Sequence, residues 1–171
     1  MWELHPIIVH FPIALLVFYV WIEIASLHPK LKNNKTVYYI KLVLLVAGTL
    51  WAIAWVLSWD AAAWSWKKNA LVNQHKEFAE MTRNIFLLLS ILYIAKLYNY
   101  EQHTAFAKAL PPFLQNILAW IEKYSKKFFL PLILAIAGMF TITVTGALGW
   151  AISHWVNTDP IVKRAVDTFV K

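Results

Sequence analysis

The chain has 171 residues, of which 60% are hydrophobic and only 15% charged, too apolar a balance for a soluble domain of this size. Its formal net charge of +7 is explained by membrane topology and calls for no nucleic-acid partner. With no cysteine, the chain can form no disulfide, no cysteine-ligated iron–sulfur cluster and no covalent c-type haem, so any haem it held would be b-type.

A helix needs about 20 mostly apolar residues to cross a hydrocarbon core of roughly 30 Å. Four stretches meet that need, at about 5–27, 38–59, 78–98 and 129–153, and they predict an all-α integral membrane protein, an antiparallel bundle of four transmembrane helices in a single domain. The first opens with Pro6 and Pro12, residues suited to a first helical turn because the missing N–H would be unpaired there. The opening Met-Trp-Glu-Leu-His carries no basic leader, and no small-residue cleavage site follows the first apolar run, so that run is expected to remain as a span. His10, Ala14, Val17 and Trp21 share one face of this helix. The second carries Trp51, Trp55 and Trp59 on one stripe and ends at Asp60. The third is continuously apolar only from Ile85 to Tyr98, so Phe78 to Asn84 is predicted to rise into the headgroup region. In the fourth, Gly138, Thr141, Thr145 and Gly149 form a smooth face for a neighbouring backbone or a cofactor. Two segments, about 113–124 after Pro111-Pro112 and about 160–170 after Asp159, have the pattern of short interfacial amphipathic helices.

The loops after the first and third spans, with their flanks, carry nine lysines against three glutamates, whereas the other side carries seven cations against six acids. Cytoplasmic loops are enriched in Lys and Arg. Both termini are therefore placed outside, in the periplasm of a bacterial inner membrane.

That orientation gathers polar residues at one level. His5 and His10 open the first span, Asp60 closes the second, His75 precedes the third and His154 closes the fourth. Ionisable groups near the hydrocarbon imply a function by default, and several imidazoles together suggest a bound metal or haem. In a square of four helices the first and third stand diagonally, so His10 and His75 are expected to face each other across one haem b. His5 and His154 would ligate a second haem or support the first, with Asp60 accepting a ring N–H from a ligand. Lys76 and Arg83, with Lys67 and Lys68, lie at the same end as candidate propionate partners. Glu23, at the lysine-rich end, is expected to pair with a cation. His28 and His103 read as solvated loop residues.

The run His5-Pro6-Ile7-Ile8-Val9-His10-Phe11-Pro12 resembles the signature of an uncharacterised bacterial membrane family, domain of unknown function 2231. Its members show His-Pro-x-x-Val-His-Phe-Pro entering helix one, an acid near the end of that helix, here Glu23, and a Gly-x-x-Asp-type ending of helix two, here Leu57 to Asp60 after Gly48. A histidine before helix three corresponds to His75, and a Gly-x-x-Gly run leading to a histidine corresponds to Gly146–Gly149 and His154. The chain departs from the pattern at Ser58 and Trp150, where glycines are usual. Related chains are sometimes joined to c-type cytochrome or Rieske modules, so the resemblance implies redox work by association.

These readings converge on a membrane b-type cytochrome, exchanging electrons with quinol or a periplasmic carrier as part of a larger redox complex. Two alternatives stand beside it. One is a copper or zinc site on His5, His10, His75 and His154; the other is a cofactor-free structural subunit. No phosphate-binding loop, nucleophile arrangement or metalloprotease motif is present, so an electron-transfer or accessory role is expected rather than a stand-alone enzyme.

Overall fold

The computed structural model of the protein describes residues 5–62, 70–100, 108–125 and 129–154, with side chains described for 10–54, 71–98, 108–123 and 129–152. Among the described residues there is no strand. Among the described residues six helices are placed in full: α1 (His5–Ala25), α2 (Pro29–Lys32), α3 (Lys35–Ala62), α4 (Ala70–Tyr100), α5 (Pro112–Ser125) and α6 (Phe129–His154). Three of them are long and apolar enough to cross a membrane, over Lys35–Ala54, Leu71–Tyr98 and Phe129–Ile152; the described side chains of α1 form a shorter apolar helix, His10–Ala25.

Local chemistry sets the breaks. α1 gives way to the one-turn α2, which starts at Pro29 with His28 as its cap, the ring Nδ1 accepting from the Lys30 N–H at 3.3 Å. His28 is thus an exposed capping residue, in keeping with its reading as a loop histidine. Asn34 opens α3, its Oδ1 accepting from the N–H groups of Thr36 at 2.9 Å and Val37 at 3.2 Å, which satisfies donors left unpaired at a helix start. α5 begins after Pro111, as the proline pair predicts, and Gln115 ties it down by donating to Leu110 O at 2.7 Å and accepting from Tyr98 of α4 at 3.2 Å. The predicted interfacial helix at 160–170 and His103 lie outside the described residues.

One boundary differs from expectation. α4 is a single helix from Ala70, eight residues before the predicted span begins, so His75 lies inside its second turn rather than ahead of it. The amphipathic stretch Phe78–Asn84 continues that helix because its apolar side has a protein partner: Phe78 packs with the buried cluster of Leu71, Val144, Leu148 and Ala151.

Contacts link α1 to α3, α3 to α4, α4 to α6 and, more sparsely, α6 to α1, leaving α1 and α4 across a diagonal. Early α1 meets late α3 (Phe11 with Trp51, Leu16 with Gly48, Glu23 with Lys41), so these two helices run in opposite directions. The same holds for α4 and α6, where His75 meets Thr145 and Phe86 meets Gly138. Leu16, Tyr19, Leu45, Phe86, Leu89 and Ala135 anchor the main core. Phe86 fits because Gly138 has no side chain: a Cβ there would stand 2.7 Å from the ring Cζ. Many outward residues are large and apolar, among them Phe18 at 63%, Val43 at 65% and Ile133 at 60% exposure, a surface that suits lipid rather than water.

Candidate functional site

The five residues that the sequence placed at one level are only partly comparable. His5 is the first residue of α1, Asp60 lies in the last turn of α3 and His154 ends α6, but their side chains lie outside those described. His75 and His10 are both described, and they do not converge.

His75 faces inward. At 100° per residue it shares a stripe of α4 with Thr82, Phe86 and Tyr93, all buried. Its Nδ1 lies 3.0 Å from the Thr145 carbonyl oxygen of α6. A carbonyl only accepts, so Nδ1 carries the proton in that bond, and in the neutral ring Nε2 bears the lone pair. Gly149, one turn further along α6, makes room for the ring: a Cβ there would approach Cε1 to 3.1 Å. Gly138, Thr141, Thr145 and Gly149 therefore do present a smooth face, but α4 itself occupies it, through Phe86 at one end and His75 at the other.

His10 faces outward. The packed side of α1 is formed by Pro12, Leu16, Tyr19, Val20 and Glu23, and His10 lies roughly 140° away from its centre. It shares its face with exposed Ala14 and with Trp21, which is 62% exposed. The expectation that His10 and His75 face each other is thus corrected: the i, i+4, i+7 stripe through Ala14 is real, but it is the outer stripe. The contact of Glu23 with Tyr93 also sets His10 level with about residue 80 of α4, on the order of 8 Å deeper along the bundle than His75. Lys76 and Arg83 have partners on their own helix, Glu80 at 3.8 Å and Asn84 at 3.2 Å. Among the described residues no group of three His, Cys, Asp or Glu is gathered to hold a metal ion.

Among the described residues, the densest polar cluster lies at the opposite, lysine-rich end. Glu23, Ser26 and Lys41 are buried beside Tyr93. Lys41 Nζ sits 3.0 Å from Glu23 Oε2 and donates to Ser26 Oγ at 3.1 Å, while Ser26 Oγ donates to the Glu23 carbonyl at 2.7 Å. Tyr93 donates its hydroxyl to the same Glu23 Oε2, and the ammonium lies 5.5 Å from the centre of the Tyr93 ring. Tyr38 stacks on Tyr93 at 5.6 Å and donates to the Tyr93 carbonyl at 2.5 Å. Tyr19 meets both Tyr93 and Phe86 edge-on, and its fully buried hydroxyl has no hydrogen-bond partner among the described residues. This arrangement confirms that Glu23 pairs with a cation and names it. The sequence reading missed Lys41, Tyr38 and Tyr93 as a group; the available signal was a lysine and two tyrosines in otherwise apolar spans.

Comparison with protein-family models, with curated proteins and with solved structures finds no match to this chain.

Proposed function

We propose that the chain is a four-span protein of a bacterial inner membrane, with its termini on the periplasmic side, and that it works in electron transfer with His75 as a ligand of haem b. The observation that carries this reading is the His75 ring, whose Nδ1–H is anchored on Thr145 O so that in the neutral ring Nε2 bears the lone pair, the tautomer in which His75 could hold haem iron. α1 supplies the fourth span in this reading, since its 21 residues fall within the length range for a crossing.

The fit is incomplete. His10 and His75 do not suit a haem held between them, because they sit on unlike faces at unlike depths; His5 or His154 would hold the haem with His75. When bound, the haem supplies one-electron chemistry; the chain's own part is to hold His75 in one tautomer and orientation. Quinol or a periplasmic carrier and a larger redox complex remain the proposed partners. The resemblance of the opening motif to a redox-associated membrane family points the same way, as a resemblance only.

The test is an absorption spectrum of the protein purified after expression with ample haem supply. A Soret band that His75→Ala abolishes and His10→Ala leaves intact is expected. A colourless protein with bound copper or zinc by elemental analysis moves the reading to the metal site. A protein with neither sinks both and favours a structural subunit. In that role the outer face of α1, with Phe18 at 63% and Trp21 at 62% exposure, would be a place for a neighbouring subunit to pack.

A further inference from the structure

Beside the Glu23–Lys41 pair a cavity of about 230 Å³ opens at the lysine-rich end, and all six helices or the turns that follow them contribute to its wall. Its polar lining includes Lys32, Lys41 and Lys96 against Glu23 and Glu122. By formal charge the lining carries three lysines against two glutamates, an excess of one positive. Its other walls, including Leu27, Leu92 and Leu132, are apolar.

Lys41 makes the floor a built site. It is buried, yet an ammonium group carries three N–H donors, and Glu23 and Ser26 take only two of them. Its remaining contact is the face of the Tyr93 ring. Lys41 itself lines the cavity, so an acceptor bound there would compete with the Tyr93 ring for its third N–H. A polar floor with one excess positive charge, under apolar walls, matches a singly charged phosphate ester on an apolar body. Basic pockets between membrane helices recognise phospholipid headgroups by this chemistry.

We infer that this cavity is a phosphate-binding site, filled by the phosphodiester headgroup of an anionic phospholipid, with Lys41, Lys32 and Lys96 as its cationic contacts. The lipid as source rests on the membrane-spanning reading above and is independent of any haem. A free phosphate shares the headgroup chemistry but lacks the acyl chains that the leucine walls would cover.

The experiment uses the full chain in nanodiscs of phosphatidylcholine, with and without phosphatidylglycerol, followed by mild delipidation and native mass spectrometry. One retained phosphatidylglycerol per chain is expected. Lys32→Gln with Lys96→Gln should lower retention about tenfold. Lys30→Gln with Lys108→Gln, two exposed lysines outside the cavity lining, removes equal charge and should leave retention unchanged. A parallel thermal melt in detergent with inorganic phosphate distinguishes the source. Stabilisation by phosphate that depends on Lys32 and Lys96, without lipid retention, keeps the site but replaces the lipid by a soluble anion. Equal loss in both double variants, or retention no greater than that of phosphatidylcholine together with no response to phosphate, overturns the inference. Failure of the chain to enter nanodiscs at all overturns the membrane reading, and the lipid as occupant with it.

Discussion

Removing Lys41 should destabilise the fold far more than removing any exposed lysine. Its ammonium and the Glu23 carboxylate are 3.0 Å apart and both side chains are about nine-tenths buried. At an effective dielectric of about 20, two unit charges at that distance attract by roughly 5.5 kcal/mol, against several kcal/mol of desolvation for each ion. The intact pair is therefore close to neutral overall, whereas a lone survivor keeps its desolvation cost without the attraction. Lys41→Met should cost about 3–5 kcal/mol, and Glu23→Met a similar amount. The double substitution should recover most of that loss, because it leaves neither charge buried. Equilibrium unfolding by dodecyl sulfate in mixed micelles, followed by far-UV circular dichroism, measures the cycle. The exposed Lys76–Glu80 pair, 3.8 Å apart on one face of α4, is the internal control, and Lys76→Ala should cost no more than about 0.5 kcal/mol. If Lys41→Met costs under about 1 kcal/mol, or if the two single losses simply add, the buried pair is not what fixes this end of the protein.

Two further outcomes follow from the same packing. Gly138→Ala places a methyl group 2.7 Å from Cζ of fully buried Phe86 and should cost about 1–3 kcal/mol in the same unfolding assay, with part recovered by adding Phe86→Leu. Because the chain has no cysteine, single cysteines at Lys30 and Lys76 give clean topology probes; under the proposed orientation, a membrane-impermeant maleimide on intact cells should label Lys76→Cys, and Lys30→Cys only after lysis.

Much of the helical plan was legible because hydrocarbon thickness and backbone hydrogen bonding leave few solutions for long apolar runs. Pro111, Asn34 and Pro29 mark their boundaries by local chemistry alone. The start of α4 was not legible: Ala70 to Asn84 looks marginal for lipid, and only the packing of Phe78 and Leu71 against α6 makes it helix. Faces were harder still. The stripe through His10, Ala14, Val17 and Trp21 has the spacing of an inner face, yet in lipid an apolar stripe carries no direction, since outward positions are as hydrophobic as inward ones. What orients α1 is its few polar contacts, and Glu23 is the residue that shows which side faces in. The same logic would have found Lys41 and Tyr93, because a charge that is expensive in hydrocarbon must point at a partner.

His75 and Tyr93 are 18 residues apart, five full turns and about 27 Å along one stripe of α4. Each fixes α4 to a different neighbour: His75 to the Thr145 carbonyl of α6, Tyr93 to Glu23 of α1 and, through its own carbonyl, to Tyr38 of α3. A shift of one residue would rotate both off their partners, so these bonds set the register that apolar packing leaves loose. The register role and the ligand role make different demands on the His75 ring, because the first uses Nδ1 and the second uses Nε2. His75→Asn separates them: its side-chain amide nitrogen stands where Nδ1 does and can still donate to Thr145 O, while nothing replaces Nε2. If His75 holds a haem, the asparagine variant should melt within about 1 kcal/mol of the haem-free parent and show no Soret band on haem titration. A variant that still binds haem like the parent removes His75 as a haem ligand. One that is pale only because it no longer folds, while His75→Ala is folded, contradicts the role of the Thr145 bond.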